Sequence, residues 1–356
     1  MTNQIENNPE IFNYLHPTSN DMLTSMSISD LINIRFILQK YLLEPRQTLG
    51  LSKDITFGTE IEFEDSKRNI IEEEIAKTFP LGNWKVVDDR SLNAGGEINS
   101  PVLRDTKQNW IDLNTVCNIV DKNAVVQINT SSHVHIGMQI LGNNPKYWRN
   151  FAKLWMTYEY IITRFLFGEY TSPRDRFAHF AEPIAKDLIE DIEAFEKYSN
   201  STTAMNILAK LNKTDAKKRS VNFRHIGKTE LYNYDKEAKK NTIEFRGGNG
   251  TFNVIIWQNY VNLLAKLLEY AKREDFNDDL INKRLKMAIE NRIPSNLYKY
   301  SQIHIESAFE FADLIFTNNL DKVYFLRQYF KDMHVSNVPL TKSEPFTTAK
   351  MRTYTI

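Results

Sequence analysis

Cysteine, net charge and long apolar runs are all scarce in this chain of 356 residues. The single cysteine, Cys117, excludes an intramolecular disulfide, and its helical spacing with Trp110 and Leu113 predicts a place in a helix core rather than a nucleophile. The 45 acidic residues balance the 45 basic ones, which argues against a dedicated nucleic-acid-binding protein. No apolar run approaches the ~18 residues of a membrane span. The N-terminus shows no signal-peptide pattern, so we expect a cytoplasmic protein with neither nucleic acid nor membrane as partner.

The overall composition is that of an ordinary globular protein. Hydrophobic residues make up 42% of the chain and charged residues 25%. This length allows a substantial core and one to three domains. We expect an N-terminal helical extension over residues 1–50, a central domain over 51–272, and a helical C-terminal region with a loose tail over 273–356. Helical spacing and breaker residues indicate the helices at the two ends.

Three segments, residues 57–64, 131–137 and 242–246, place charged or metal-binding side chains on one face of a predicted strand. Side chains alternate across a strand, so every second residue shares a face. The residues that share the polar faces are, strand by strand, Glu60, Glu62 and Glu64, then His133 and His135, then Glu244 and Arg246. The opposite faces are apolar. This layout predicts a sheet whose front carries a site and whose back packs on helices.

Carboxylates side by side on a strand repel each other, and burial strengthens the repulsion. Arg246 can neutralise part of this charge, and a hard divalent cation with oxygen ligands would neutralise more. Each segment alone is more typical of a solvated sheet face, a surface histidine pair or an exposed ion pair. The same layout in all three favours a site.

Further motifs follow in order along the chain, at residues 84–91, 96–103, 221–223 and 250–252, with a looser match from residue 172 to 184. On these motifs and the three strands, the chain resembles the amidoligase family across residues 55–270. This family is a branch of the carboxylate–amine ligases, which include glutamine synthetase and glutamate–cysteine ligase. The chain departs from the family at Ser131 and Ser132, where relatives often have Cys-Gly or Gly, and at Glu182, where an arginine or aromatic residue is common.

The resemblance implies an α+β fold of the glutamine-synthetase type. Its curved antiparallel sheet has helices on the outer face and cradles ATP with two or more Mg²⁺ ions, or Mn²⁺. The central domain would then be an amidoligase-like catalytic domain. The implied reaction is ATP-dependent formation of an amide or isopeptide bond through an acyl phosphate, since free carboxylate is a poor electrophile.

The resemblance also implies roles for individual residues. The expected metal ligands are Glu60, Glu62, Glu97, His133 and Glu244. The expected catalytic residues are Glu62, Glu244 and Arg246, whose guanidinium would contact phosphate. The expected nucleotide-binding residues are His133, Arg174, Arg176, Arg219, Arg246 and Asn249. Surface positions remain the alternative for the arginines, and a tight turn for the glycine-rich segment around Asn249. Glu64 or Asp89 could take the proton of the amine.

The substrates expected from the resemblance are a small-molecule or peptide carboxylate and an amine, and family analogy adds a glutamine amidotransferase-type partner. Three alternatives stay open. The same fold could phosphorylate an amine or guanidine, because guanidino kinases share it. A histidine pair with carboxylates could hold Zn²⁺ in a hydrolase. A degenerate ligase fold could act as a binding protein of a phage or mobile element.

Overall fold

The computed structural model describes residues 43–89, 91–92, 94–170, 173–174, 177–185, 218–226, 241–290 and 302–330. The predicted N-terminal helix, which starts near Ser29, lies outside these residues. So do Arg176, nearly all of the predicted helix over 185–212, and the predicted loose tail.

Within the described residues, six strands form one open antiparallel sheet in the order β2-β3-β1-β4-β6-β5. The strands are β1 (Phe57–Phe63), β2 (Lys85–Val87), β3 (Gly96–Asn99), β4 (Ser131–Gly137), β5 (Val221–Asn222) and β6 (Thr242–Asn249). The α+β class and the antiparallel sheet predicted from the sequence are therefore confirmed.

Helices connect and follow these strands. They are α1 (Arg68–Thr78), α2 (Lys107–Asn123), α3 (Pro145–Leu166), α4 (Phe177–Phe180), α5 (Val254–Ala271), α6 (Asp278–Glu290), α7 (Gln302–Ile315) and α8 (Asn319–Phe330). Asn144 caps α3 by accepting a hydrogen bond from the Lys146 amide at 3.0 Å, and Asn253 caps α5 in the same way. The sequence predicts a loop over residues 168–183, and the short helix α4 interrupts that segment. No helix of the described residues is long and apolar enough to cross a membrane.

The back of the sheet is apolar because alternate residues of each strand point there. Phe57 on β1 stacks on Trp110 of α2 with ring centroids 5.0 Å apart, and Phe245 on β6 packs against Trp155 of α3 at 5.5 Å. Cys117 is fully buried in α2, as predicted. Helices α2, α3 and α5 thus cover one face and leave the opposite face for polar side chains.

Helices α7 and α8 form a second layer behind α3 and α5. Phe165 of α3 stacks on Phe325 of α8 at 4.9 Å, and Asn259 of α5 donates a hydrogen bond to Gln328 of α8 at 2.8 Å. The C-terminal helices are therefore packed on the core helices that carry the sheet. The boundaries predicted at residues 50 and 272 stay a prediction.

A buried carboxylate, Glu159 of α3, fastens two irregular segments to the core. It accepts hydrogen bonds from the amides of Ile184 at 2.9 Å and Ala185 at 2.6 Å, from Ser220 Oγ at 2.8 Å, and from Trp155 Nε1 at 2.9 Å. Burial raises the pKa of Glu159, and the four donors oppose that rise. These bonds hold Ser220, which directly precedes the edge strand β5, and the segment that contains Ile184 and Ala185 against α3.

The glycine-rich segment after Arg246 is not a turn, because Gly247 and Gly248 continue strand β6. The register between β4 and β6 shifts between Ser132 and Val134. At this irregularity the strands approach so closely that a Cβ on Gly248 would lie 2.5 Å from the carbonyl oxygen of Ser132. A side chain at that position would push the two strands apart.

We predict that Phe245→Ala lowers the free energy of unfolding by about 3–5 kcal/mol, because it leaves a cavity between β6 and α3. Val102 is 79% exposed, so Val102→Ala should change stability by less than ~0.5 kcal/mol. Urea denaturation of both variants tests this. Equal losses of unfolding free energy in Phe245→Ala and Val102→Ala would contradict the packing of Phe245 against α3.

Candidate active site

Strand register brings the polar residues of three motifs together on the front of the sheet. On β1, Glu60 lies opposite His133 of β4, and Glu62 lies opposite Glu97 of β3. His135 of β4 lies opposite Glu244 of β6. The three segments that share a polar layout in the sequence are thus neighbouring strands, with Glu97 added from β3.

Glu60 sits at the centre of this face and joins two imidazoles. Its Oε2 lies 2.9 Å from His133 Nδ1, and its Oε1 lies 2.8 Å from His135 Nε2. Burial by itself would raise the pKa of Glu60, but the two histidines hold this pKa well below its usual value. Thr242 Oγ1 lies 3.0 Å from the other ring nitrogen of His135 and helps to orient it.

Glu244 is buried and surrounded by hydrogen-bond donors. Asn222 Nδ2 donates to its Oε2 at 2.6 Å, His225 Nε2 lies 3.0 Å from the same oxygen, and the Arg246 guanidinium binds Oε1. Burial would raise the pKa of Glu244, but His225 and Arg246 keep it far below the usual range. This carboxylate therefore stays ionised inside the fold.

Glu97 has no such compensation. Burial together with the charges of Glu60 and Glu62 raises its pKa to about 8, against one opposing hydrogen bond from Asn99 at 2.6 Å. In three overlapping groups the potential ligand atoms lie within 4.8 Å of one another. The groups are Glu60, Glu97 and His133; Glu60, His135 and Glu244; and Glu62, Asp89 and Glu97.

These donors fit one or more divalent cations. Carboxylate oxygens with a minority of imidazole nitrogens suit Mg²⁺ or Mn²⁺. The raised pKa of Glu97 is the sign of carboxylate charge that the protein itself leaves unbalanced. A cation between the carboxylates would remove that repulsion.

Two arginines lie at the β6 side of the face. Arg174 is 2% exposed, and its Nη2 donates to the carbonyl oxygen of Arg246 at 3.1 Å. Burial lowers the pKa of Arg174 to about 10, with Glu62 opposing and Arg246 adding to that effect. Among the described residues, the Nε atoms of both arginines have no hydrogen-bond partner. The arginines could therefore donate to an anionic group.

The remaining predicted residues have different surroundings. Asn249 accepts from the Arg174 amide at 2.8 Å and donates to the Phe167 carbonyl oxygen at 3.1 Å, so its amide group holds the chain that carries Arg174. Arg219 Nη1 lies 3.2 Å from Glu182, next to a bridge between the two backbones.

The two candidates for the base also differ in their surroundings. Glu64 is fully buried, whereas half-buried Asp89 lies with Glu62 and Glu97.

The sequence reasoning missed His225 and did not include His135 among the ligands. His225 follows Asn222 in a turn, where the Arg224 amide donates to Asn222 Oδ1 at 2.8 Å. No periodic pattern marks a residue in such a turn. His135 carried a usable signal, since it shares the strand face of His133.

Comparison with protein families gives a match over residues 53–268, to a family described as "Putative amidoligase enzyme". The matched segment contains all six described strands and the four carboxylates Glu60, Glu62, Glu97 and Glu244. A search of curated proteins gives no match.

The raised pKa of Glu97 leads to a pH prediction for the metal-free protein. A carboxyl whose pKa is about 8 instead of 4.5 binds a proton in the folded state, so its contribution to stability declines as pH rises through that window. Thermal unfolding in EDTA should thus show a lower Tm at pH 8 than at pH 5, and Glu97→Gln should flatten this slope.

Glu159, whose pKa is also raised, is present in both proteins and does not affect the comparison. Added Mg²⁺ at pH 8 should raise the Tm of the wild type more than that of Glu97→Gln. If Tm depends on pH identically in the wild type and in Glu97→Gln in EDTA, the claim that Glu97 carries unbalanced charge is wrong.

Proposed function

The chain belongs to the amidoligase family, a family of ligase-type enzymes, and we propose that it is an ATP- and Mg²⁺-dependent carboxylate–amine ligase. Its product is an amide or isopeptide bond, formed through an acyl phosphate. The observation that carries the proposal is the convergence of four carboxylates, Glu60, Glu62, Glu97 and Glu244, with Arg246 on one sheet face. The open antiparallel sheet, covered by helices on its back, supports the glutamine-synthetase-like form of the fold.

The reaction needs cations held against the phosphate groups, and it needs hydrogen-bond donors for the phosphoryl oxygens. A carboxylate oxygen of the substrate attacks the γ-phosphorus of ATP, the bond to the ADP oxygen breaks, and a mixed anhydride forms. The amine then attacks the acyl carbon, phosphate leaves, and the amine loses a proton. Most of the protein's contribution to phosphoryl transfer is positioning and charge stabilisation.

The residues fit the first requirement, which is to hold cations against phosphate. The carboxylates Glu60, Glu62, Glu97 and Glu244 would bind Mg²⁺ or Mn²⁺ together with His133, and His135 is added from its contact with Glu60. When bound, such cations would neutralise the negative charge of the phosphate groups.

Arg246 and Arg174 fit the second requirement, which is to bind the phosphoryl oxygens. Glu244 fixes the guanidinium of Arg246 from one side, and the Arg246 side chain keeps 19% exposure for contact with a ligand. Arg174 adds a second positive charge beside Arg246. A planar guanidinium can donate two parallel hydrogen bonds to a phosphoryl group, which gives direction as well as charge.

Of the two candidates for the base, Asp89 fits better than Glu64. Asp89 is half-buried beside Glu62 and Glu97, whereas Glu64 is fully buried. We therefore assign removal of the amine proton to Asp89. The substrates remain a small-molecule or peptide carboxylate and an amine, with a glutamine amidotransferase-type partner by family analogy.

We predict that ATP binding depends on Mg²⁺ and on Glu244. Calorimetric titration of ATP should give heat only when Mg²⁺ is present, and Glu244→Gln should weaken binding by about tenfold or more. Glu73→Gln, an exposed change on α1, is the matched control and should bind like the wild type. If ATP binds equally well without Mg²⁺ and in Glu244→Gln, the nucleotide binds elsewhere and the proposal is wrong.

We also predict that ADP release requires a carboxylate and an amine together, because each completes one half of the reaction. A library of both substrate classes, with hydroxylamine added to trap the acyl phosphate as a hydroxamate, tests this. A stable phosphorylated amine or guanidine would instead indicate a phosphotransferase. Nucleotide binding with no turnover across the library would favour a binding protein.

A further inference from the structure

Ser131, at the start of β4, connects two of the proposed cation ligands. Its amide donates to Glu62 Oε2 at 2.7 Å, and its hydroxyl donates to Glu62 Oε1 at 2.5 Å. The same hydroxyl oxygen lies 2.8 Å from His133 Nε2. Ser131 is 3% exposed, so water competes little for these bonds.

Strand geometry explains why this serine reaches both groups. Ser131 and His133 are two residues apart on β4 and share the front face, and β1 brings Glu62 alongside. Ser132, one residue on, lies opposite Ile61 of β1, and its hydroxyl has no hydrogen-bond partner among the described residues. Of these two adjacent serines, only Ser131 contacts the proposed cation ligands.

These contacts restrict both ligands. Each oxygen of Glu62 already accepts one hydrogen bond from Ser131, so the carboxylate cannot rotate without losing a bond. The single hydroxyl proton of Ser131 goes to Glu62, so His133 Nε2 donates to Ser131 Oγ. This bond fixes the ring with Nδ1 towards Glu60, at 2.9 Å, and Nδ1 is the nitrogen that a cation beside Glu60 would contact.

We propose that Ser131 is a positioning residue that preorganises Glu62 and His133 for the divalent cation. The inference rests on the cation site of the proposed function and adds a residue that the metal does not itself contact. Partners that orient metal ligands typically change metal affinity or activity by about 10–100-fold when they are removed. Ser131 should therefore control the affinity of the site without being a ligand.

A second interpretation of the same contacts is a nucleophilic serine. Ser131 Oγ, His133 and Glu60 have the distances of a nucleophile, a base and a group that orients the base. Two observations favour positioning instead: the hydroxyl is hydrogen-bonded to Glu62, and Ser131 is buried. An alkyl fluorophosphonate probe separates the two interpretations, because only an activated serine reacts with it.

The test compares Ser131→Ala with Ser132→Ala in the full chain. Mn²⁺ is titrated into each protein without nucleotide, and electron paramagnetic resonance measures the concentration of free Mn²⁺. We expect Ser131→Ala to weaken Mn²⁺ binding by about tenfold or more, and Ser132→Ala to leave it unchanged. Ser131→Thr, which keeps the hydroxyl, should restore most of the affinity.

A spectroscopic readout distinguishes positioning from a general loss of structure. In the metal-free protein, the ¹⁵N chemical shift of His133 Nε2 should change in Ser131→Ala and stay constant in Ser132→Ala. Circular dichroism should show all variants folded. The fluorophosphonate probe should leave wild-type Ser131 unlabelled.

Each outcome decides the matter. If wild type binds no Mn²⁺, the cation site of the proposed function fails and the inference fails with it. If wild type binds Mn²⁺ and Ser131→Ala binds equally well, the inference alone is overturned. Equal weakening by both alanine variants, or labelling of Ser131 by the probe, would also overturn it.

Discussion

Repulsion among buried carboxylates is the constraint around which the front of the sheet is arranged. Glu60 is compensated by two histidines of the neighbouring strand, and Glu244 by Arg246, His225 and Asn222. Glu97 has the least compensation, and its pKa rises to about 8. A cation is the natural counter-charge for what remains, because it can contact several carboxylates at once.

The face can hold this charge because its support is rigid. The strands that carry the carboxylates bury their other side chains against α2, α3 and α5, and the C-terminal helices pack behind α3 and α5. Glu159 of α3 holds Ser220, beside the edge strand, and the segment of Ile184 and Ala185 through three donors. Polar groups keep fixed positions only where the elements under them cannot shift, and repelling groups need such support most.

The site has two chemically different halves. Strands β1, β3 and β4 carry most of the carboxylates and imidazoles, whereas Arg246 lies on β6 with Arg174 beside it. Glu62 belongs to both halves, since it lies opposite Glu97 and its charge acts on Arg174. A polyphosphate bound across the face would meet cation ligands on one side and guanidinium groups on the other. Ser131 holds Glu62 at the junction of the two halves.

Alternation along single strands was predictable from the sequence. It placed Glu60 with Glu62, His133 with His135, and Glu244 with Arg246, each with an apolar opposite face, and it needed no knowledge of the partner strands. The Asn144-Pro145 pair likewise predicts the start of α3. The motifs in their order also indicated the family that the comparison then matched.

Only the tertiary structure decided which residues of different strands meet. Glu60 and His133 are 73 residues apart, and their contact depends on the register of β1 with β4. That register follows from the packing of the whole core, which leaves no local signal in the sequence. For the same reason the sequence did not reveal His225 beside Glu244, the backbone contacts of Asn249, or Ser131 between two ligands. Local periodicity fixes the side of a strand, whereas contacts across strands depend on how the whole chain packs.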